Sequence, residues 1–182
     1  MVRIRSLTVA TLVVALASGF MVACVPPDDV SGTGASALAQ AEANKETMRR
    51  FVDAMNAQDF DGLDEFVSTD VVRTSPSTPD VVVQNLEQFK AFLRQDLEGV
   101  PDAVQEIRMM VAEGDQVAVW ANYSGTQTGP MGAFPATGGR VDLDFAGILR
   151  FDGGKIAEIH VVWDNLGMLV QLGHLEPPAP GQ

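Results

Sequence analysis

The hydrophobic period of this chain changes once, and that change fixes the class of fold it can adopt. In the first half the apolar residues recur at helical spacing. Met48, Phe51, Val52 and Met55 fall at i, i+3, i+4 and i+7, which predicts an amphipathic helix over Glu42 to Gln58 with Asn44 near its start. Asp59-Phe60-Asp61-Gly62 breaks it. Leu63 to Val67 reads as a short second helix, Val71-Val72 as a brief strand and Ser75 to Asp80 as a loop. Asn85 to Glu98 is the third helix, with Leu86, Phe89, Phe92, Leu93 and Leu97 turned inward. Gly99 ends it and Pro101 follows at the expected distance. Beyond that point the period is two. Val104 to Ala112, Gln116 to Ser124, Arg140 to Phe151 and Lys155 to Trp163 are four strands. Glu113-Gly114-Asp115 and Asp152-Gly153-Gly154 are tight turns that make antiparallel hairpins. A Gly/Pro/Thr loop spans Gly125 to Gly139, and Leu166 to Leu172 is a closing helical segment. Helices followed by an antiparallel meander make the domain α+β. Curling the sheet around the first and third helices buries both layers and leaves an apolar cavity in the concavity.

The ends of the chain lie outside this pattern. Arg3 and Arg5 form a positive n-region, and Leu7 to Phe20 is an apolar run without charge, shorter than the roughly 20 residues that span a bilayer. Residues 1–23 therefore read as a bacterial secretory signal. Met21-Val22-Ala23 before Cys24, the single cysteine of the chain, resembles a lipoprotein signal with Cys24 as the lipidated residue. The expected address is the cell envelope, lipid-anchored at Cys24, with plain secretion as the alternative. Residues 24–41 are rich in Pro, Gly, Ser, Ala and Asp and read as a flexible tether. Residues 42–174 form the domain, and 175–182, ending Pro177-Pro178-Ala179-Pro180-Gly181-Gln182, a frayed tail. The chain carries 12 Lys+Arg and 24 Asp+Glu; without Arg3 and Arg5 the balance is 10 against 24, a net charge of −14. A surface this acidic repels phosphate backbones, so nucleic acid is not an expected partner.

Asp164 ends the most apolar strand, Lys155 to Trp163. A carboxylate delivered there is costly to bury without a partner, and proteins that accept that cost often use the group as an acid or base. The same residue is also a favoured N-cap for the helix that follows. His160, four residues earlier, shares a strand face with it, whereas Ile159, Val161 and Trp163 occupy the other face and look like core. On the second strand Trp120 and Asn122 share a face and Tyr123 points away from both. Asp144 and Arg150 lie at equal parity on the third strand, as a pair across a cavity mouth or as a surface salt bridge. Arg73, near the mouth loops, reads as a solvated arginine or, alternatively, as one that steers an anion. His174 is expected in solvent. Two distant histidines and one cysteine give no metal-ligand spacing, and no phosphate loop or nucleophile elbow is present.

Several phrases together resemble the SnoaL-like polyketide cyclase or ester cyclase family, which has the cone-shaped fold named after nuclear transport factor two. They are Asn44-Lys45-Glu46 with Arg49-Arg50-Phe51, Val111 to Val119, Ser124-Gly125-Thr126-Gln127-Thr128-Gly129, Gly154 to Glu158, and Asp164 to Gly173. The resemblance implies an intramolecular aldol ring closure on a polyketide ester, without metal or organic cofactor, with a pocket aspartate as acid/base at the position of Asp164. Many members carry a histidine where this chain has Val72-Arg73-Thr74-Ser75-Pro76, and another where it has Gln127. Gln127 bonds but does not titrate.

These readings give two expectations of different class. One is a cofactor-independent cyclase, lyase or isomerase acting on an apolar carbonyl compound. Its catalytic residue is Asp164, and its substrate contacts are His160, Gln127, Trp120, Asn122, Asp144 and Arg73. An epoxide-hydrolase variant of it needs a second carboxylate and an arginine, which only Asp144 and Arg150 can supply. The other is a non-catalytic envelope lipoprotein that binds an apolar ligand or lipid in the same cavity. Pairing of two copies through the outer sheet face is a further expectation.

Overall fold

A computed structural model of the chain describes residues 30–177, with side chains described from residue 34 onward. The secretory signal and Cys24 lie outside the described residues, as does most of the tail. The domain contains three helices, a 3₁₀ turn and five strands. They are α1 (Val30–Asn56), the 3₁₀ turn (Gly62–Glu65), β1 (Val67–Thr74), α2 (Leu86–Gly99), β2 (Val104–Glu113), β3 (Gln116–Thr126), β4 (Arg140–Asp152), β5 (Lys155–Trp163) and α3 (Asn165–Gln171). Among these helices none is long and apolar enough to cross a membrane.

The four predicted strands form the expected meander. Glu113 pairs with Gln116 and Asp152 with Lys155, so each hairpin closes on two residues. Gly153 and Gly154 both have positive φ, at 56° and 81°, the backbone that a tight primed turn requires. The strand order is β1-β5-β4-β3-β2. The outermost strand, β1, is eight residues long rather than two, and it runs parallel to β5, with Arg73 beside Ile159. The sheet is therefore mixed, and the α+β class stands.

Two further elements differ from expectation. α1 begins at Val30, so residues 30–41 are helical rather than a flexible tether. Asn44 consequently lies inside the helix instead of capping it. It is buried, accepts a hydrogen bond from Gln40 Nε2 at 2.9 Å, and its Nδ2 has no partner. The expected second helix is only the 3₁₀ turn, because it stops at its C-cap Phe66 and Val67 already begins β1, both side chains being buried.

The inner sheet face packs against α1 and α2. Met48, Phe51 and Val52 of α1 join Phe89 and Leu93 of α2, Val119 and Ala121 of β3, Leu149 of β4 and Ile159 of β5 in one core, with Phe51 and Phe89 stacked at 6.3 Å. α2 starts where the sequence places it: Asn85 caps by accepting from Gln88 N at 2.9 Å, and Gln88 Oε1 accepts in return from Gln84 N at 2.8 Å. The long loop after β3 is fastened to the end of α2, since Thr128 N and Gly129 N both donate to Gly99 O at 3.0 Å. Gly129 lies so close that a Cβ there would stand 1.8 Å from Glu98 O.

Candidate active site

A cavity of about 670 Å³ opens between the inner sheet face, α1, α2, α3 and the loop after β3. That size suits a small organic ligand. Its walls are mostly apolar, with Phe89, Phe92, Phe145, Val161 and Met168 among them. Three polar side chains give it chemical character: Arg73 from β1, Asp96 from α2 and Tyr123 from β3.

Asp96 continues the inward stripe of α2, since 89, 92, 93 and 96 follow i, i+3, i+4 and i+7. A carboxylate thus occupies a position that the helix period reserves for an apolar residue. The hydroxyl of Tyr123, the only tyrosine of the chain, donates to Asp96 Oδ2 at 3.1 Å. Burial pushes the Asp96 carboxyl above its ordinary value, against the smaller opposing pulls of the Tyr123 hydrogen bond and the Arg73 charge. Burial, the nearby Asp96 charge and the hydrogen bond to Asp96 all drive Tyr123 upward, so it stays a phenol. Asp96 is therefore a carboxyl group held above its ordinary value and kept in place by one hydrogen bond, which suits general acid–base work.

Arg73 is only 5% exposed. Its guanidinium lies 4.2 Å from the ring centroid of Phe92 and 5.9 Å from that of Trp163. Its one side-chain hydrogen bond goes to Thr78 Oγ1 at 3.3 Å. Desolvation lowers its pKa and the Asp96 charge raises it, but an arginine remains a cation in any such setting. Among the described residues Arg73 forms no ion pair, with Asp96 or any other carboxylate.

The loop after β1 clasps the far end of β5. Ser77 Oγ donates to Trp163 O at 2.9 Å and accepts from Trp163 N at 3.1 Å, while Asn165 Nδ2 donates to Ser77 O. This fixes Trp163 beside Arg73. Ser77, Trp163 and Asn165 all line the cavity.

The aspartate favoured by the sequence stands elsewhere. Asp164 is exposed and caps α3, its Oδ1 accepting from Gly167 N at 2.9 Å. A Cβ on Gly167 would press on that carboxylate at 2.4 Å, so the cap depends on glycine there. Asp164 is not part of the cavity wall; its neighbours Trp163 and Asn165 are. The physical reason is that turning into α3 leaves the first amide groups of that helix without partners, and the aspartate satisfies one of them.

Four other candidates lie on the outer sheet face. His160 is exposed, with Nδ1 2.6 Å from Thr74 Oγ1 and Nε2 3.4 Å from Glu158 Oε2. Strand parity is the cause: Ile159, Val161 and Trp163 take the cavity side. Trp120 is 45% exposed and its Nε1 donates to Asp144 Oδ2 at 3.2 Å. Asn122 Nδ2 donates to Asp142 Oδ1 at 2.8 Å and to Asp144 Oδ1 at 3.2 Å. The same parity sends their strand neighbour Tyr123 inward. Arg150 pairs with Glu158 at 2.7 Å, not with Asp144, so the carboxylate–arginine pair that the epoxide-hydrolase variant needed is not formed.

Gln127 is fully buried, yet its amide is spent inside the loop. Nε2 donates to Pro135 O at 3.1 Å, and Oε1 accepts from Thr137 Oγ1 at 3.1 Å and from His174 Nε2 at 2.9 Å. It organises the cavity rim instead of meeting a ligand. His174, expected in solvent, is half-buried against Phe134 at 4.9 Å and reaches the cavity wall. Among the described residues no three His, Cys, Asp or Glu side chains gather as a metal cage.

Asp96 and Tyr123 escaped the sequence reading, although each left a signal. For Asp96 it was an acidic residue in an apolar helical stripe. For Tyr123 it was a strand parity opposite to that of two visibly polar neighbours.

A family model for SnoaL-like polyketide cyclases matches residues 45–172. Among solved structures, a candidate SnoaL-like polyketide cyclase from Jannaschia sp. CCS1 is 28% identical, with a TM-score of 0.67 over 76% of this chain and 95% of its own. TsrD from Streptomyces laurentii is also 28% identical, with a TM-score of 0.67 over 74% of this chain and 97% of its own. IdmH, a candidate polyketide cyclase from Streptomyces antibioticus, is 26% identical, with a TM-score of 0.64 over 71% of this chain and 98% of its own. A search of proteins with curated functions returns no match. The family match covers the whole domain, from the middle of α1 to the residue after α3, and on it this chain belongs to the SnoaL-like polyketide cyclase family.

Proposed function

We propose that the protein carries out cofactor-independent acid–base chemistry on an apolar carbonyl compound, an aldol-type ring closure or a related lyase or isomerase step, with Asp96 as the proton carrier. The observation that carries this reading is a half-buried carboxyl at the cavity wall, pushed above its ordinary value by desolvation and held by Tyr123. In the ring closure the Asp96 carboxylate takes a proton from the carbon between the substrate's carbonyl groups. The resulting enolate carbon bonds to a second carbonyl carbon, and the new alkoxide takes the proton back from Asp96. No net proton or electron is gained or lost. The apolar walls hold the chain folded on itself, which is where most of the rate of an intramolecular step originates. Asp164 acts through α3 in this scheme, by holding the segment that carries Asn165 and Met168 to the cavity.

The test is exchange of the α-protons of α-tetralone in D2O, followed by NMR. The wild type should accelerate exchange over buffer. Asp96→Asn should lower the enzymatic rate by about 10²–10⁴-fold, the usual contribution of a positioned general base. Asp164→Asn should leave it nearly unchanged, because asparagine caps a helix as well as aspartate does. Loss of exchange in Asp164→Asn alone would return the proton to Asp164. Wild type and Asp96→Asn indistinguishable from buffer would favour a protein that only binds its ligand. The address read from residues 1–24 belongs to the same proposal: the chemistry takes place at the cell envelope, on a domain anchored through Cys24.

A further inference from the structure

A buried cation without a counter-ion is an expensive thing for a fold to keep. Arg73 has that position. It is nine-tenths buried and faces the cavity, and it has spent one donor, on a neutral hydroxyl, Thr78 Oγ1. A guanidinium has five N–H donors. Aromatic faces on Phe92 and Trp163 stabilise the charge without using those donors. The acidic group whose charge acts on Arg73, Asp96, is engaged by Tyr123 and does not pair with it. The remaining donors are therefore available to whatever enters the cavity.

We infer that the ligand of this cavity carries a carboxylate, which seats on the Arg73 guanidinium while its apolar body lies along the Phe89, Phe145 and Val161 wall. The inference rests on the cavity being the functional site, as proposed above, and names the class of compound that it prefers: an apolar keto acid, bound more tightly than its ester or a neutral ketone. The planar fork of arginine matches two carboxylate oxygens at once, where a lysine would offer a point charge. Ion pairing inside an apolar cavity is strong because little water competes. Phe92 and Trp163, together with the Ser77 clasp that holds Trp163, keep the guanidinium from swinging out to solvent. An acid group fixed on β1 also leaves the carbonyl end free to approach Asp96 on α2, so the two ends of the ligand meet different elements.

Isothermal titration calorimetry with 2-naphthoate and with methyl 2-naphthoate decides the matter, since the two differ only in the charged group. The wild type should bind the acid at least tenfold more tightly than the ester. Arg73→Met should erase that preference while keeping the ester affinity, and Arg73→Lys should retain part of it. Equal affinities in the wild type, binding of neither probe at millimolar concentration, or a preference that survives in a folded Arg73→Met variant would each overturn the inference. Should Arg73→Met fail to fold, the wild-type ratio of acid to ester still gives the answer. Asp96→Asn separates this idea from the catalytic one: it should keep the preference for the acid. A preserved preference with undiminished exchange would sink Asp96 as the proton carrier and leave the carboxylate site standing.

Discussion

Two aspartates illustrate how differently the same side chain behaves in two settings. Asp164 ends an apolar strand, and from its neighbours alone the cap and the pocket are both sound readings; the geometry of α3 decides for the cap. Asp96 sits in a helix that reads as ordinary amphipathic core, and only its interruption of the apolar stripe marks it. The difference has a measurable consequence in stability. Asp96 titrates above its ordinary value of 3.8 in the folded protein. Between the ordinary and the raised value the folded state holds a proton that the unfolded chain has lost. Stability therefore falls as pH rises through that window and stays lower above it. The amide introduced by Asp96→Asn does not titrate. Thermal or urea unfolding should show this variant to be more stable than the wild type near pH 7. The gain should vanish near pH 3, where the wild-type carboxyl is protonated in the folded state and largely so in the unfolded one. A gain that persists at pH 3 would mean that the buried charge is not its source.

At the level of elements, legibility followed the distance between partners. The β2–β3 and β4–β5 hairpins close on two residues, so their signal lies within a few positions. α2 was readable because its cap, its stripe and its terminal glycine are contiguous. β1 was readable only at Val71-Val72, because its partner is β5, far along the chain, and parallel pairing leaves no turn to read. Its burial alternates only in its second half, from Val71 to Thr74. That half-strand, of which the sequence showed only Val71-Val72, is the one that carries Arg73 inward. The loop after β3 was read correctly as a loop, but its attachment to α2 is invisible in sequence. Gly129→Ala tests that attachment. The new methyl group meets the Glu98 carbonyl, a rigid neighbour, and should destabilise the domain by about 1–3 kcal/mol, measured by chemical denaturation. Proximity of the loop to the cavity adds that 2-naphthoate should bind more weakly to this variant.

For the molecule as a whole, charge and burial are divided between the two faces of one sheet. The inner side holds the cavity, with Arg73, Asp96 and Tyr123 at its wall. The outer face holds the Arg150–Glu158 pair, the Trp120–Asp144 contact and several exposed apolar side chains, among them Met109, Val111 and Ile148. This division explains why most polar strand residues singled out from sequence proved to be remote from the site: on a two-faced sheet, visible polarity is concentrated where water is. The proposed envelope address is tested at the same scale. Growth with radiolabelled palmitate should label the wild type, and Cys24→Ser should lose the label and leave the membrane fraction. An unlabelled wild type would favour plain secretion.

The parallel contact between β1 and β5 has a consequence in time as well as in space. Arg73 is made early in synthesis, whereas Ile159, its partner across the sheet, and Trp163, which covers it, are made near the end. Until β5 emerges from the ribosome, the guanidinium has Phe92 of α2 beside it but no Trp163 to cover it. A chain stopped after β4 lacks the cavity wall that β5 and α3 supply and can hold much of the meander without holding a site.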